Sequence, residues 1–149
     1  MASTDTIIAQ IKTQLQNSSA LSYVDDNLIF LGARDTINQF PAIVLEPLRV
    51  DESSERDVYQ SVDLRIFFAV IGYVNIPDPS YQMVGDGSSI KGILDVENDI
   101  KKAISGDRTL GGNAIYTWIR TSTFDLDQFP VRSVGIEIEV LTRQTDTTR

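Results

Sequence analysis

Apolar residues along this chain fall into two periodicities, one helical and one of extended strand. Near the start, Ile7, Ile8, Ile11 and Leu15 recur at helical spacing. They predict an amphipathic helix capped by Thr4 or Asp5 and ended by Asn17, Ser18 and Ser19. A second helical stripe, Ile93, Leu94, Val96, Ile100, Ala103 and Ile104, follows a capping Ser88 or Ser89 and stops at Gly106. Alternation with a period of two marks long strands. Val62, Leu64, Ile66, Phe68 and Val70 alternate with Ser61, Asp63 and Arg65, and Val134, Ile136, Ile138 and Val140 alternate with Gly135, Glu137 and Glu139. From Phe67 to Tyr73 both faces turn apolar, as expected where a sheet is covered on one side by its own helices and on the other by something else.

Weaker signals fill the remainder. Residues 21–31 read as short extended pieces, holding Tyr23, Val24, Leu28, Ile29 and Phe30, broken at Asp25, Asp26 and Asn27 and closed by Gly32. Ile43, Val44 and Leu45 predict a strand over residues 42–50, in which Pro47 implies an edge position or a bulge. The acidic run from Asp51 to Glu55 reads as a hairpin loop, and residues 114–124, with Tyr116, Trp118 and β-branched neighbours, as another strand. Residues 75–89 are rich in proline, glycine and serine and form a loop of the length that usually carries function or orders on a partner. The expected fold is one α+β domain: a mostly antiparallel sheet of four to five strands with two helices on one face, a folded core over residues 4–143 and a polar, disordered tail over 144–149.

Composition then narrows the function. At 149 residues, 42% hydrophobic and 23% charged, the chain buries a core without disulfide or metal. It contains neither cysteine nor histidine, so thiolate nucleophiles, imidazole bases and ordinary zinc or haem sites are ruled out, and the expectation is a non-enzyme with no cofactor. A formal net charge of -8 with scattered basic residues argues against a nucleic-acid grip. No apolar run approaches the ~20 residues of a membrane span, and the first 17 residues lack the pattern of a signal peptide.

Candidate chemistry is sparse. Gly85-Asp86-Gly87-Ser88-Ser89 precedes a helix but lacks the spacing and lysine of a phosphate loop. Asp78, Asp95 and Asp99, with Lys101, superficially suggest a divalent-metal nuclease, yet Asp99 and Lys101 sit two apart on a helix and point different ways. Tyr116, Trp118, Phe67 and Tyr73 would suit base stacking only with a basic partner set, which the sequence does not place beside them. Core packing, or a patch covered by a neighbouring subunit, is the preferred reading.

Two local sequences carry a resemblance. Phe40-Pro41-Ala42-Ile43-Val44-Leu45-Glu46-Pro47 and Asp107-Arg108-Thr109-Leu110-Gly111-Gly112-Asn113-Ala114 resemble segments of small tail-completion proteins of tailed bacteriophages, the tail terminators or head-to-tail joining proteins. The resemblance implies a homo-hexameric ring that caps the tail tube, binds the tube protein and a neck or head-completion protein, and passes genomic DNA without sequence-specific contact. It would be a virion component assembled in the host cytoplasm, with no membrane partner. Another neck or connector protein, and a capsid decoration or baseplate accessory subunit, remain the alternatives. The expected contact residues are Asp51, Glu52 and Glu55 in one loop and Pro77, Asp78, Pro79, Tyr81 and Met83 in the other.

Overall fold

The computed structural model describes residues 3–32, 37–52, 61–125 and 129–145. Helix α1 spans Thr4–Asn17, and its cap is Ser3, one residue before the expected Thr4: Ser3 is extended and its side chain accepts from the Thr6 amide. Asp5 instead lies in the first turn, where a carboxylate favours the positive helix end. Tyr23 and Val24 are not extended, a correction to the sequence reading. They lie between 3-10 turns at Ser19–Leu21 and Asp26–Leu28, the second set by Asp25, whose carboxylate accepts from the Asn27 amide at 2.9 Å.

The strands are β1 Ile29–Leu31, β2 Ala42–Glu52, β3 Ser61–Asn75, β4 Tyr116–Asp125 and β5 Val131–Thr145. They form one sheet in the order β1-β2-β3-β5-β4. Every pairing is antiparallel except β1 with β2, which the sequence did not foretell. Asp51 and Glu52 belong to β2, opposite Arg65 and Leu64, so the acidic run begins in the strand. Likewise Gln144 and Thr145, expected in the tail, pair with Val62 and Ser61. Pro47 does sit at a bulge, between Pro47 and Arg49. It also lies past the end of β1, where its missing N–H costs no ladder bond.

Helix α2, Ile93–Ser105, begins later than serine capping would place it. Gly92 is the cap, and the carboxylate of Asp95 accepts from the Gly92 amide at 2.9 Å. Gly106 ends it as expected. Both helices lie on one face of the sheet. Ile7, Ile11 and Leu15 of α1 and Val96, Ile100 and Ile104 of α2 join Ile66, Phe68, Val70, Ile136, Ile138 and Val140 in one core. The approach is closest at Gly72, where a Cβ would stand 2.7 Å from Val96 Cγ1. Gln14 ties the helices together by sharing its amide hydrogens among the carbonyls of Ala103, Ile104 and Asp107, each at 3.0 Å, where α2 has run out of internal partners.

The segment 107–114 is a built turn. Asp107 accepts from the Thr109 hydroxyl and amide at 2.7 and 3.0 Å, and from the Gly111 amide at 2.8 Å. These bonds hold Leu110, Gly111 and Gly112 at successive positive φ of 51°, 67° and 85°. Only Leu110 is penalised there, and it is kept by burial, at 1% exposure in the core. The hydrogen bonds, Thr109 first and then the amides, hold the Asp107 carboxyl below its ordinary range.

Candidate interaction surfaces

Each acid of the metal-nuclease reading is engaged structurally and separately. Asp78 accepts from the Ser80 amide at 3.0 Å and opens the 3-10 turn Pro79–Tyr81. Asp95 caps α2 and also accepts from the Gly85 amide at 2.8 Å. Asp99 accepts from the Tyr23 hydroxyl at 2.9 Å; burial first, and then this bond, push the phenol well above its ordinary range. Among the described residues no group of three or more acidic side chains is arranged to share a cation. Nor is any helix among them long and apolar enough to cross a membrane.

The expected contact residues fall into two sets. Asp51 and Glu52 are exposed at the far end of β2, and Asp51 pairs with Arg49 at 3.4 Å. Glu55 lies outside the described residues. Pro77, Asp78, Pro79 and Met83 are exposed beyond the opposite end of β3. Leu64, opposite Glu52, and Asn75, where β3 ends, are separated by roughly 35 Å of strand at about 3.3 Å per residue. The two sets therefore occupy opposite ends of the molecule.

Tyr81 is half-buried, with its ring packed against the core. The loop around it is braced as well. Gln82 is buried, donates to the Ile76 carbonyl at 2.9 Å and accepts from Arg132 Nη2 at 3.0 Å. Its backbone carbonyl and that of Met83 accept from the Ile93 and Leu94 amides at 2.8 and 3.0 Å.

The largest addition to the sequence reading is the sheet face away from the helices. Phe67, Tyr73, Tyr116 and Trp118 all belong to this face by register. The Tyr116 and Trp118 rings stand 5.0 Å apart. The sequence placed no basic residues beside them, but pairing gathers four arginines there. Arg49 lies 3.8 Å over Phe67, Arg65 and Arg120 lie 6.0 and 5.3 Å from Trp118, and Arg108 lies 5.5 Å from Tyr116. Between Arg65 and Arg120 sits Glu139, only 6% exposed, with contacts of 2.6 Å to Arg65 Nη1 and 3.3 Å to both Nε and Nη2 of Arg120. Burial alone would raise the Glu139 carboxyl. The bonds from Arg120 and Arg65, and their charges, more than reverse this and hold it below its ordinary range. Arginine stems thus blanket the centre of this face, and three of the four guanidinium groups are tied to carboxylates.

Beside that cluster the cover ends. Leu48, Ala69, Ile71, Thr121, Thr123 and Gly135, with Glu137, line an open groove of about 280 Å³. A one-dimensional pattern gave the aromatic residues but not the groove, because its walls come from four strands.

No family model matches this sequence, and no curated protein matches it. A likeness does exist among solved structures, to a chain in the virion of a native gene transfer agent particle: TM-score 0.58, 9% sequence identity, covering 91% of this chain and 93% of that one. At that identity the likeness is one of fold, and it extends over nearly the whole of both chains.

Proposed function

We propose that this protein is a structural subunit of a phage-like virion, forming a closed ring that caps a tail tube and joins it to the head or neck, with a lumen through which DNA passes. The observation that carries this reading is the near end-to-end fold likeness to a chain of a gene transfer agent virion. The two sequence segments resembling tail-completion proteins point the same way, and both are structural: one opens β2 and the other is the Asp107 turn.

The disposition of exposed residues fits a joining role. Asp51 and Glu52 stand at one end of the molecule, and Pro77, Asp78 and Pro79 at the other. In a ring with its strands along the axis, one set meets the tail tube and the other the head-side component. The acidic balance of -8 suits a conduit, since carboxylates repel phosphate and let a duplex slide.

Light scattering across concentration, followed by negative-stain imaging, tests the reading. Six-fold rings of about 100 kDa, six copies of the 16.6 kDa chain, are the expected species, formed alone or on added tail tubes. A strict trimer would favour a decoration or baseplate subunit. A chain that stays monomeric and ignores tail tubes would end the proposal.

A further inference from the structure

Met83 and Val84 are 61% and 57% exposed, the two most exposed large apolar side chains among the described residues. They are not on a loose tip. The backbone on either side is fixed by Ile93 and Leu94 donating to Gln82 and Met83, and by Gly85 donating to Asp95. Gly92 packs so closely beneath that a Cβ there would collide with the Met83 carbonyl. With its backbone fixed, an exposed apolar pair costs less to order on binding than one on a loose loop. The groove over Ala69 and Gly135 is its counterpart: open, largely apolar and on the opposite side of the sheet from α2, so the pair cannot reach it within one chain.

Charge permits the fit. From Ile76 to Ile90 the loop carries Asp78 and Asp86 and no basic residue. The groove has Glu137 in its lining, 3.9 Å from Arg49, and is flanked by Arg49, also bonded to Asp51 at 3.4 Å, and by Arg120, beside Thr121 and bonded to Glu139 at 3.3 Å; both arginine side chains are about half exposed, at 55% and 44%, and remain open to a further carboxylate. The sheet edges compete poorly as docking sites. On one side β1 is only three residues long, and Pro47 and a bulge interrupt the part of β2 that it leaves uncovered, while on the other a bulge between Ile119 and Thr121 and the bond from Arg108 to the Thr117 carbonyl blunt β4.

We propose that this groove seats Met83 and Val84 of a second copy of the chain, with Asp86 facing Arg49 and Arg120 across the contact. Knob and groove lie on different surfaces, so the contact is head-to-tail and propagates until rotation closes it. The inference rests on the ring reading and names its subunit contact.

The absence of native cysteine makes the test direct. Met83→Cys mixed with Thr123→Cys should be joined by a short bismaleimide into heterodimers, and the double variant should give a ladder ending at the ring. Gly135→Leu fills the groove without disturbing the strand, because a Cβ there meets nothing nearer than the Thr123 carbonyl at 3.9 Å. It and the surface variant Met83→Asp should each weaken assembly by about a hundredfold while keeping the wild-type melting profile. Rings that persist in both variants, or rings of the double cysteine variant that yield no cross-link between positions 83 and 123, overturn the inference and leave the ring standing. A wild-type chain that never assembles, even on tail tubes, removes the ring reading and this contact with it.

Discussion

Glu139 shows how a residue's role follows from its neighbours across the sheet rather than along the chain. In sequence it is one polar position in an alternating strand. In the sheet it stands opposite Phe67 and Trp118 and takes hydrogen bonds from two arginines. Glu139→Gln keeps the shape and removes the charge. It should lower stability at pH 7 by about 1–2 kcal/mol, discounted because both guanidinium groups are half in water. The carboxyl is held below its ordinary range when folded, so this stabilisation is present above about pH 4.3 and is lost as pH falls through the folded value. Urea titrations of both proteins from pH 8 to pH 3 should show a constant gap that closes only at the acidic end; a gap unchanged at pH 3 would mean the charge is not its source. Gln14 makes a second case at this scale. Gln14→Leu strands three carbonyls at the end of α2 and should cost about 1–3 kcal/mol, read from denaturant midpoints.

Helices and long strands were legible because each buries one face, and burial writes its period into the sequence. Ile7, Ile11 and Leu15, and Ile93, Val96, Ile100 and Ile104, are the buried stripes that spacing predicts. Boundaries were less legible, since a cap depends on which donor and acceptor meet. The serines near 88 lost α2 to Gly92 because the Asp95 carboxylate supplies the capping acceptor from inside the helix. The same bracing changes how the loop before α2 can be probed. Excising residues 78–87 would remove the buried Gln82, so point substitutions are the cleaner tool. The packing of α2 on β3 gives an element-scale prediction. Gly72→Ala should cost about 1–3 kcal/mol by pressing on Val96 and Ile100. Combining it with Val96→Ala should cost less than the sum of the two changes, and simple additivity in thermal or chemical melts would locate the strain elsewhere.

At the scale of the whole molecule, the sheet has one face filled by its own helices and one covered only in part, by arginine stems beside an open groove. That asymmetry, together with blunted edges and two separated sets of exposed residues, is what a subunit of an assembly would show. The proposed contact of Asp86 with Arg49 and Arg120 would make assembly partly electrostatic. Raising salt from about 0.05 to 0.5 M should weaken it without dissolving the apolar contact. Sedimentation at the two salt concentrations measures this, and a ring strengthened by salt would leave only the apolar part of the contact.

The sequence by itself determined the class of the fold and the absence of thiol and imidazole chemistry, because periodicity and composition are properties of single segments and single residues. It also held the two segments that resemble tail-completion proteins, whose prolines and glycines encode a strand entry and a turn. Tertiary structure alone decided the parallel pairing of β1, the gathering of four arginines over the aromatic face, the burial of Glu139 between two of them, and the groove facing away from α2. These arise where strands distant in sequence lie about 5 Å apart, and no periodicity within one strand records which neighbour it will meet.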